Sequence, residues 1–177
     1  LEFRRVLFRS LVFVHGTGSS TQGSFGELAT PTAGVWPLLE GAFADRIYGF
    51  EHHTFSESPI DNALALARSL PRGARVSLVS HASGGQVADL LCAERLDDGL
   101  IDAYRLAPAR GSEGDSQREA ALAEQRERLR ELRGVLDEKA LRVERYLRVA
   151  CPARGTRRSE ELTSELQSHS DLVCRLL

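Results

Sequence analysis

The chain has 177 residues and a formal net charge of −2, enough length for one domain with a real core and no basic excess to attract nucleic acid or an acidic membrane. Its three cysteines, Cys92, Cys151 and Cys174, are odd in number and lack metal-ligand spacing, so neither a disulfide framework nor a metal site is expected, and a reducing, cytoplasmic compartment is slightly favoured. No run approaches the ~18 apolar residues of a membrane span, so no integral membrane segment is expected.

In chain order, Leu1–Ser10, LEFRRVLFRS, shows neither a helical nor a strand period. The far end, Arg158–Leu177, RSEELTSELQSHSDLVCRLL, is equally detached from what precedes it. Both ends resemble translated sequencing-adapter sequence, which implies that residues 1–10 and 157–177 are foreign flanks to be set aside in fold reasoning. The competing reading of the tail is a genuine short helix around Glu160–Leu166, where helical propensity is good. The chain contains no methionine, which fits a trimmed or internal piece. The informative stretch is taken as Leu11–Thr156.

Leu11–Val14 is a short apolar run that ends in His15-Gly16-Thr17-Gly18-Ser19-Ser20. It is too short for a signal-peptide core and leads to no cleavage motif. The strand therefore runs into a Gly- and Ser-rich loop. A phosphate loop would need G-x-x-x-x-G-K-[ST], and no lysine follows any of these glycines.

Gly34–Ala44 carries Val35, Trp36, Leu38, Leu39 and Phe43, an amphipathic helix with Pro37 in its first turn. Arg46–Phe50 reads as a second strand. Glu51-His52-His53 follow it, but neighbouring strand residues point to opposite faces and no third ligand is suitably spaced, so a strand end is expected rather than a metal site. Ser58-Pro59-Ile60-Asp61 is a helix start, with a serine cap, a proline in the first position and an acid in the first turn. Ile60, Ala63, Leu64, Ala67 and Leu70 then recur at helical spacing until Pro71 and Gly73 stop it.

The stretch that organises the rest is Arg75–Leu91, RVSLVSHASGGQVADLL. Val76–Val79 has the character of a buried parallel strand. Val87, Leu90 and Leu91 lie on one face of a helix. Between them Ser80-His81-Ala82-Ser83-Gly84-Gly85 leaves room only for a sharp turn. This turn resembles the nucleophile elbow, G-x-S-x-G, of the α/β-hydrolases, and more narrowly the SHSxGG elbow of bacterial lipases and esterases. Small residues belong two before and two after the nucleophile, and Ser80 and Gly84 satisfy this around Ala82. Centring on Ser83 instead recovers a hydroxyl but puts bulky His81 where a small residue belongs. The Ala82 register is preferred on that steric ground, with Ser83 the alternative nucleophile.

The same resemblance extends to the first loop, since HG-x-G is similar to the oxyanion loop of lipases and esterases. It implies that the backbone N–H groups of Thr17 and Ser83 form the oxyanion hole. It implies structural roles for His15, Gly16, Gly18, Ser80, His81, Gly84 and Gly85.

Beyond the elbow helix, Pro108–Ser116 is a turn-rich linker, and Gln117–Lys139 a long charged helix with a thin stripe of Leu122, Leu129, Leu132 and Leu136. Residues 108–139 are read as an insertion, either a surface helix docked by one edge or a lid of the kind this fold carries here. Leu141–Ala150 reads as a further strand, leading into Cys151-Pro152-Ala153-Arg154-Gly155-Thr156. CPARGT resembles the T-P-H-x-G-[ST] loop of lipases, and Cys151 there is expected to be a packing residue.

Alternation of strands and helices implies an α/β fold, a parallel sheet with helices on both faces. The resemblance refines this to a truncated α/β-hydrolase-like domain over residues 11–156, acting on a small-molecule ester or lipid and requiring no cofactor. In that family the triad runs Ser, Asp or Glu, then His. After Ala82 the only histidine is His169, in the tail, so the acid and base are expected on strands beyond this sequence. A serine hydrolase lacking nucleophile and base is expected to be inactive; the alternative is a non-catalytic α/β-hydrolase-like binding module.

Overall fold

The computed structural model describes residues 9–92, 96–104 and 115–151. Residues 1–8, most of the 108–116 linker, Pro152–Thr156 of the last loop, and the tail with Cys174 and His169 lie outside the described residues.

Four strands, β1 (Arg9–Val14), β2 (Ile47–Phe50), β3 (Arg75–His81) and β4 (Arg142–Val149), form one parallel sheet in the order β2-β1-β3-β4. The α/β class expected from the alternation is therefore the one observed. β1 opens at Arg9, two residues before the apolar run, and its first residues pair with Arg75 and Val76.

Between β1 and β2 lie α1 (Thr21–Phe25), a 3-10 turn (Gly26–Ala29) and α2 (Trp36–Phe43). α3 (Pro59–Ser69) joins β2 to β3. α4 (Gly84–Cys92), α5 (Asp98–Ala103) and α6 (Asp115–Lys139) lead to β4. Three of these elements, α1, the 3-10 turn and α5, have no counterpart in the sequence reading. Each is six residues or fewer, too short for a periodic pattern to register. α6 begins within the stretch read as linker, at Asp115.

The direction of chain travel decides which face each helix covers. From β1 to β2 the chain steps one way across the sheet, and from β2 to β3 and β3 to β4 it steps the other. Right-handed crossovers then place the two groups of helices on opposite faces. On one face Val12, Val14, Val76 and Leu78 pack against Ile60, Leu64 and Leu66 of α3, Val87 and Leu90 of α4, and Leu129 and Leu132 of α6. On the other, Leu11, Phe13 and Val79 meet Phe25, Trp36, Leu39 and Phe43.

α3 forms where its start signal stands: Ser58 Oγ accepts the Asp61 N–H at 3.1 Å, and Pro59 fills the first turn. α6 docks by a single edge. Only Leu129 and Leu132 are fully buried among its described side chains, worth about 1.5–3 kcal/mol each. Lys139 closes the arrangement by donating to the Leu70 carbonyl at 2.6 Å and to the Arg68 carbonyl at the end of α3. Among the described residues no helix is long and apolar enough to cross a membrane.

Candidate functional site

β1 and β3 are parallel neighbours, with Val14 opposite Ser80. The chain leaves β1 toward one face of the sheet and leaves β3 toward the other. The order β2-β1-β3-β4 therefore reverses direction between these two strands. A crevice opens where such a reversal occurs, beyond the carboxyl ends of the strands. The two loops at this point are His15–Ser20 and the His81–Gly84 corner.

The corner itself is strained. Ala82 has φ +49°, a left-handed conformation that costs an L-residue with a Cβ about 1–2 kcal/mol. Its N–H donates to the Val149 carbonyl at 3.0 Å, and its carbonyl accepts the Gly85 N–H at 3.2 Å, so β4 on one side and α4 on the other hold the turn. Position 82, not 83, occupies the bend. The Ala82 Cβ faces the first loop: a Cβ built on Gly16 would lie 2.8 Å from it. Glycine at 16 is what lets the loop approach so closely. Gly84 serves the same end, since a Cβ there would collide with the Val14 and His15 carbonyl oxygens. A Cβ on Gly85 would meet Cys151 Sγ at 2.8 Å.

The two loops are in direct contact. The Thr17 N–H donates to Ser83 Oγ at 2.7 Å, and Thr17 Oγ1 lies 2.6 Å from the same oxygen. The side chain of Ser83 thus turns toward the first loop. The reason is local. The bend at Ala82 sets Ser83 beside the loop that follows β1, where the Thr17 N–H lies beyond the strand and takes the serine hydroxyl as its acceptor. The Ser83 N–H makes no hydrogen bond among the described residues.

His15 is buried to 1 % exposure. Its Nδ1 lies 3.0 Å from the Gly16 carbonyl and its Nε2 3.3 Å from the His52 N–H. Its ring lies against that of His52 with centroids 4.1 Å apart and the planes tilted by 30°, and His52 stacks in turn on Phe50 at 5.2 Å. Glu51 Oε2 stands 3.3 Å from His15 Nε2, while Oε1 accepts the Thr21 N–H at 2.8 Å. The bond from Thr21 holds the Glu51 carboxyl below the usual range, and burial holds the His52 imidazole below its ordinary value. Glu51 and His52 follow β2 as a strand end, and among the described residues no group of three His, Cys, Asp or Glu side chains could hold a metal. Gly18 is fastened by its N–H to Thr54 Oγ1 at 3.1 Å, with the exposed ring of Phe55 against it. This clasp between the loops after β1 and β2 had no signal in the sequence, because nothing local says that β2 lies beside β1.

Behind the corner lies a polar cluster that the sequence reading also missed. Ser80 Oγ lies 2.9 Å from Tyr146 Oη and 3.2 Å from Cys151 Sγ. The Tyr146 hydroxyl donates to the Gly85 carbonyl at 3.0 Å. Asp89, 1 % exposed, pairs with Arg148: Nη1 donates to Oδ1 at 3.0 Å and lies 2.9 Å from Oδ2 without hydrogen-bond alignment. Burial pushes the Asp89 carboxyl up, against the pull of the Arg148 guanidinium, and burial likewise raises Tyr146. Cys151 is half-buried in this cluster. His81 Nδ1 is buried and has no hydrogen-bond partner among the described residues; its ring meets the edge of Phe25.

Of the residues singled out from sequence, the structure brings His15, Gly16, Thr17, Gly18, Ser80, His81, Ala82, Ser83, Gly84 and Gly85 to one end of the sheet. Chemically the junction of the two loops presents the Thr17 amide, taken up by Ser83 Oγ, and a methyl group at its corner. A family model described as a domain of unknown function, DUF7379, matches residues 2–105, which takes in both loops of the crevice. No curated protein and no solved structure matches the chain.

Proposed function

The chain belongs to the DUF7379 family, and from that premise we propose that it is a lipase/esterase-like α/β-hydrolase domain for carboxylic esters or lipids, with Ala82 in the nucleophile position. The observation that carries this reading is the strained corner at Ala82, φ +49°, set between β3 and α4 and facing the Thr17 loop. A strand-to-helix turn held in the left-handed region is what lifts a nucleophile clear of its sheet. Two amides from adjoining loops are what a tetrahedral oxyanion requires. Alanine at the corner removes the attacking atom, so the chain as it stands does not cleave an ester. A purely binding role is favoured by one observation, the hydroxyl-free corner itself, and the two readings differ in whether ester chemistry returns with a nucleophile.

The test is Ala82→Cys. A thiolate is nucleophilic without an adjacent base, so a single acylation does not depend on an Asp–His pair. With p-nitrophenyl butyrate, Ala82→Cys should release one equivalent of nitrophenol and carry the acyl group on residue 82 by mass spectrometry. Ser83→Cys should react more slowly, and the unmodified chain should not exceed background hydrolysis. Acylation of Ala82→Cys no faster than that of its denatured form would overturn the ester-site reading.

A further inference from the structure

We propose that Ser83 is a built-in plug of this crevice, and that it makes the site select an anionic oxygen over a neutral carbonyl. The inference rests on the ester-site reading and deepens it.

The geometry is that of an occupied donor. The Thr17 N–H has a single hydrogen, and it points at Ser83 Oγ across 2.7 Å. The Thr17 hydroxyl lies 2.6 Å from the same atom. Both bonds link loops 66 residues apart in the chain, so the serine oxygen sits where the oxygen of a ligand would have to be held. A ligand oxygen must displace it before it can use the Thr17 amide.

Displacement requires no backbone movement, because Thr17 is exposed and Ser83 only half-buried; rotation of one serine side chain suffices. The competition is decided by the charge on the incoming oxygen. A neutral ester carbonyl offers the amide a bond no better than the hydroxyl it replaces, and the exchange gains nothing. A carboxylate or a tetrahedral oxyanion forms a charge-assisted bond roughly twice as strong, and it wins. Apparent affinity for any ligand is reduced by the fraction of molecules in which the donor is free. A hydrogen bond between neutral groups contributes only modestly net, so the plug costs about three- to tenfold in affinity.

The ligand class follows from the same chemistry: with no nucleophile at Ala82, the chain takes the carboxylate of an acyl group in preference to its ester. Ser83 acts through the Thr17 amide and makes no bond to the ligand with its side chain.

Amide NMR of the whole chain tests this. Ser83→Ala should shift the Thr17 amide resonance and speed its hydrogen exchange with no ligand present. Sodium butyrate should perturb that amide in the unmodified protein, and ethyl butyrate should not. In Ser83→Ala, butyrate should bind about three- to tenfold tighter, and ethyl butyrate should begin to register. Ser83→Gly should behave alike, separating the lost hydroxyl from any repacking by the alanine methyl. A Thr17 amide indifferent to both substitutions overturns the plug. So does weaker butyrate binding in the variants, or none in any of the proteins. Plug behaviour without acylation of Ala82→Cys would retain a carboxylate site and remove the esterase ancestry, so the two proposals fail separately.

Discussion

The hydroxyl of Tyr146 donates to the carbonyl of Gly85 at 3.0 Å, joining the edge strand β4 to the first turn of α4. Tyr146 also lies 2.9 Å from Ser80 Oγ, on the last turn of chain before the corner. One phenol therefore braces both arms of the bend at Ala82. Part of the strain at φ +49° is sustained by this brace, since an unfavourable backbone conformation persists only where its surroundings over-determine it.

Tyr146→Phe should accordingly destabilise the protein by about 1–2 kcal/mol, the cost of leaving a buried serine hydroxyl with one partner fewer and a carbonyl with none from this source. Urea unfolding measures it. An unchanged midpoint would mean that Cys151, 3.2 Å from the same Ser80 oxygen, suffices to hold the corner.

Two glycines should respond in opposite senses to the same substitution. A Cβ on Gly84 would collide with the Val14 and His15 carbonyls, which are backbone atoms of the central strand and its exit and cannot turn aside. Gly84→Ala should cost about 3 kcal/mol, the upper range of overpacking. A Cβ on Gly134, inside α6, meets nothing within 4 Å. There the gain in helix propensity should dominate, and Gly134→Ala should stabilise by about 0.5–1 kcal/mol. Thermal melts of the two variants, read side by side, check the pair.

Stability should fall on mild acidification through His52. Burial holds its imidazole below the ordinary value of 6.5, so the unfolded chain binds the proton more tightly than the folded one. The contribution to stability is complete above pH 6.5, begins to fall as the pH drops through that value, and is lost once the pH is below the folded-state value. The hydrogen bond to the Phe50 carbonyl and the Glu51 carboxylate oppose this shift, while His15, its ring centroid 4.1 Å away, and His53 add to it. His52→Gln should flatten the stability profile between pH 7 and 5. A profile as steep in the variant as in the parent would assign the acid sensitivity to another group.

Much of the domain could be read from the sequence because its signals are local. Leu11–Val14 is a continuous apolar run and Val76–Val79 one interrupted only by the buried Ser77, as expected of strands covered on both faces. Ser58 and Pro59 mark the start of α3 by short-range hydrogen bonding and a fixed φ. The corner at Ala82 is legible because packing of a strand against a helix leaves room only for small residues two positions away on either side, and Ser80 and Gly84 provide them. Each of these inferences depends on residues within about ten positions of one another.

Tertiary structure alone decided the rest. The order β2-β1-β3-β4 follows from the handedness of the crossovers and the faces the helices must cover, neither of which is written in any one segment. That order brings Thr17 to Ser83, His15 to His52, and Tyr146 to Gly85. It also turned the Ser83 hydroxyl into the crevice, because an unpaired amide at the end of β1 recruits the nearest oxygen whatever its place in the chain. Residue types set what each position could do; the sheet order, enforced by burial of two apolar faces, set which of them meet.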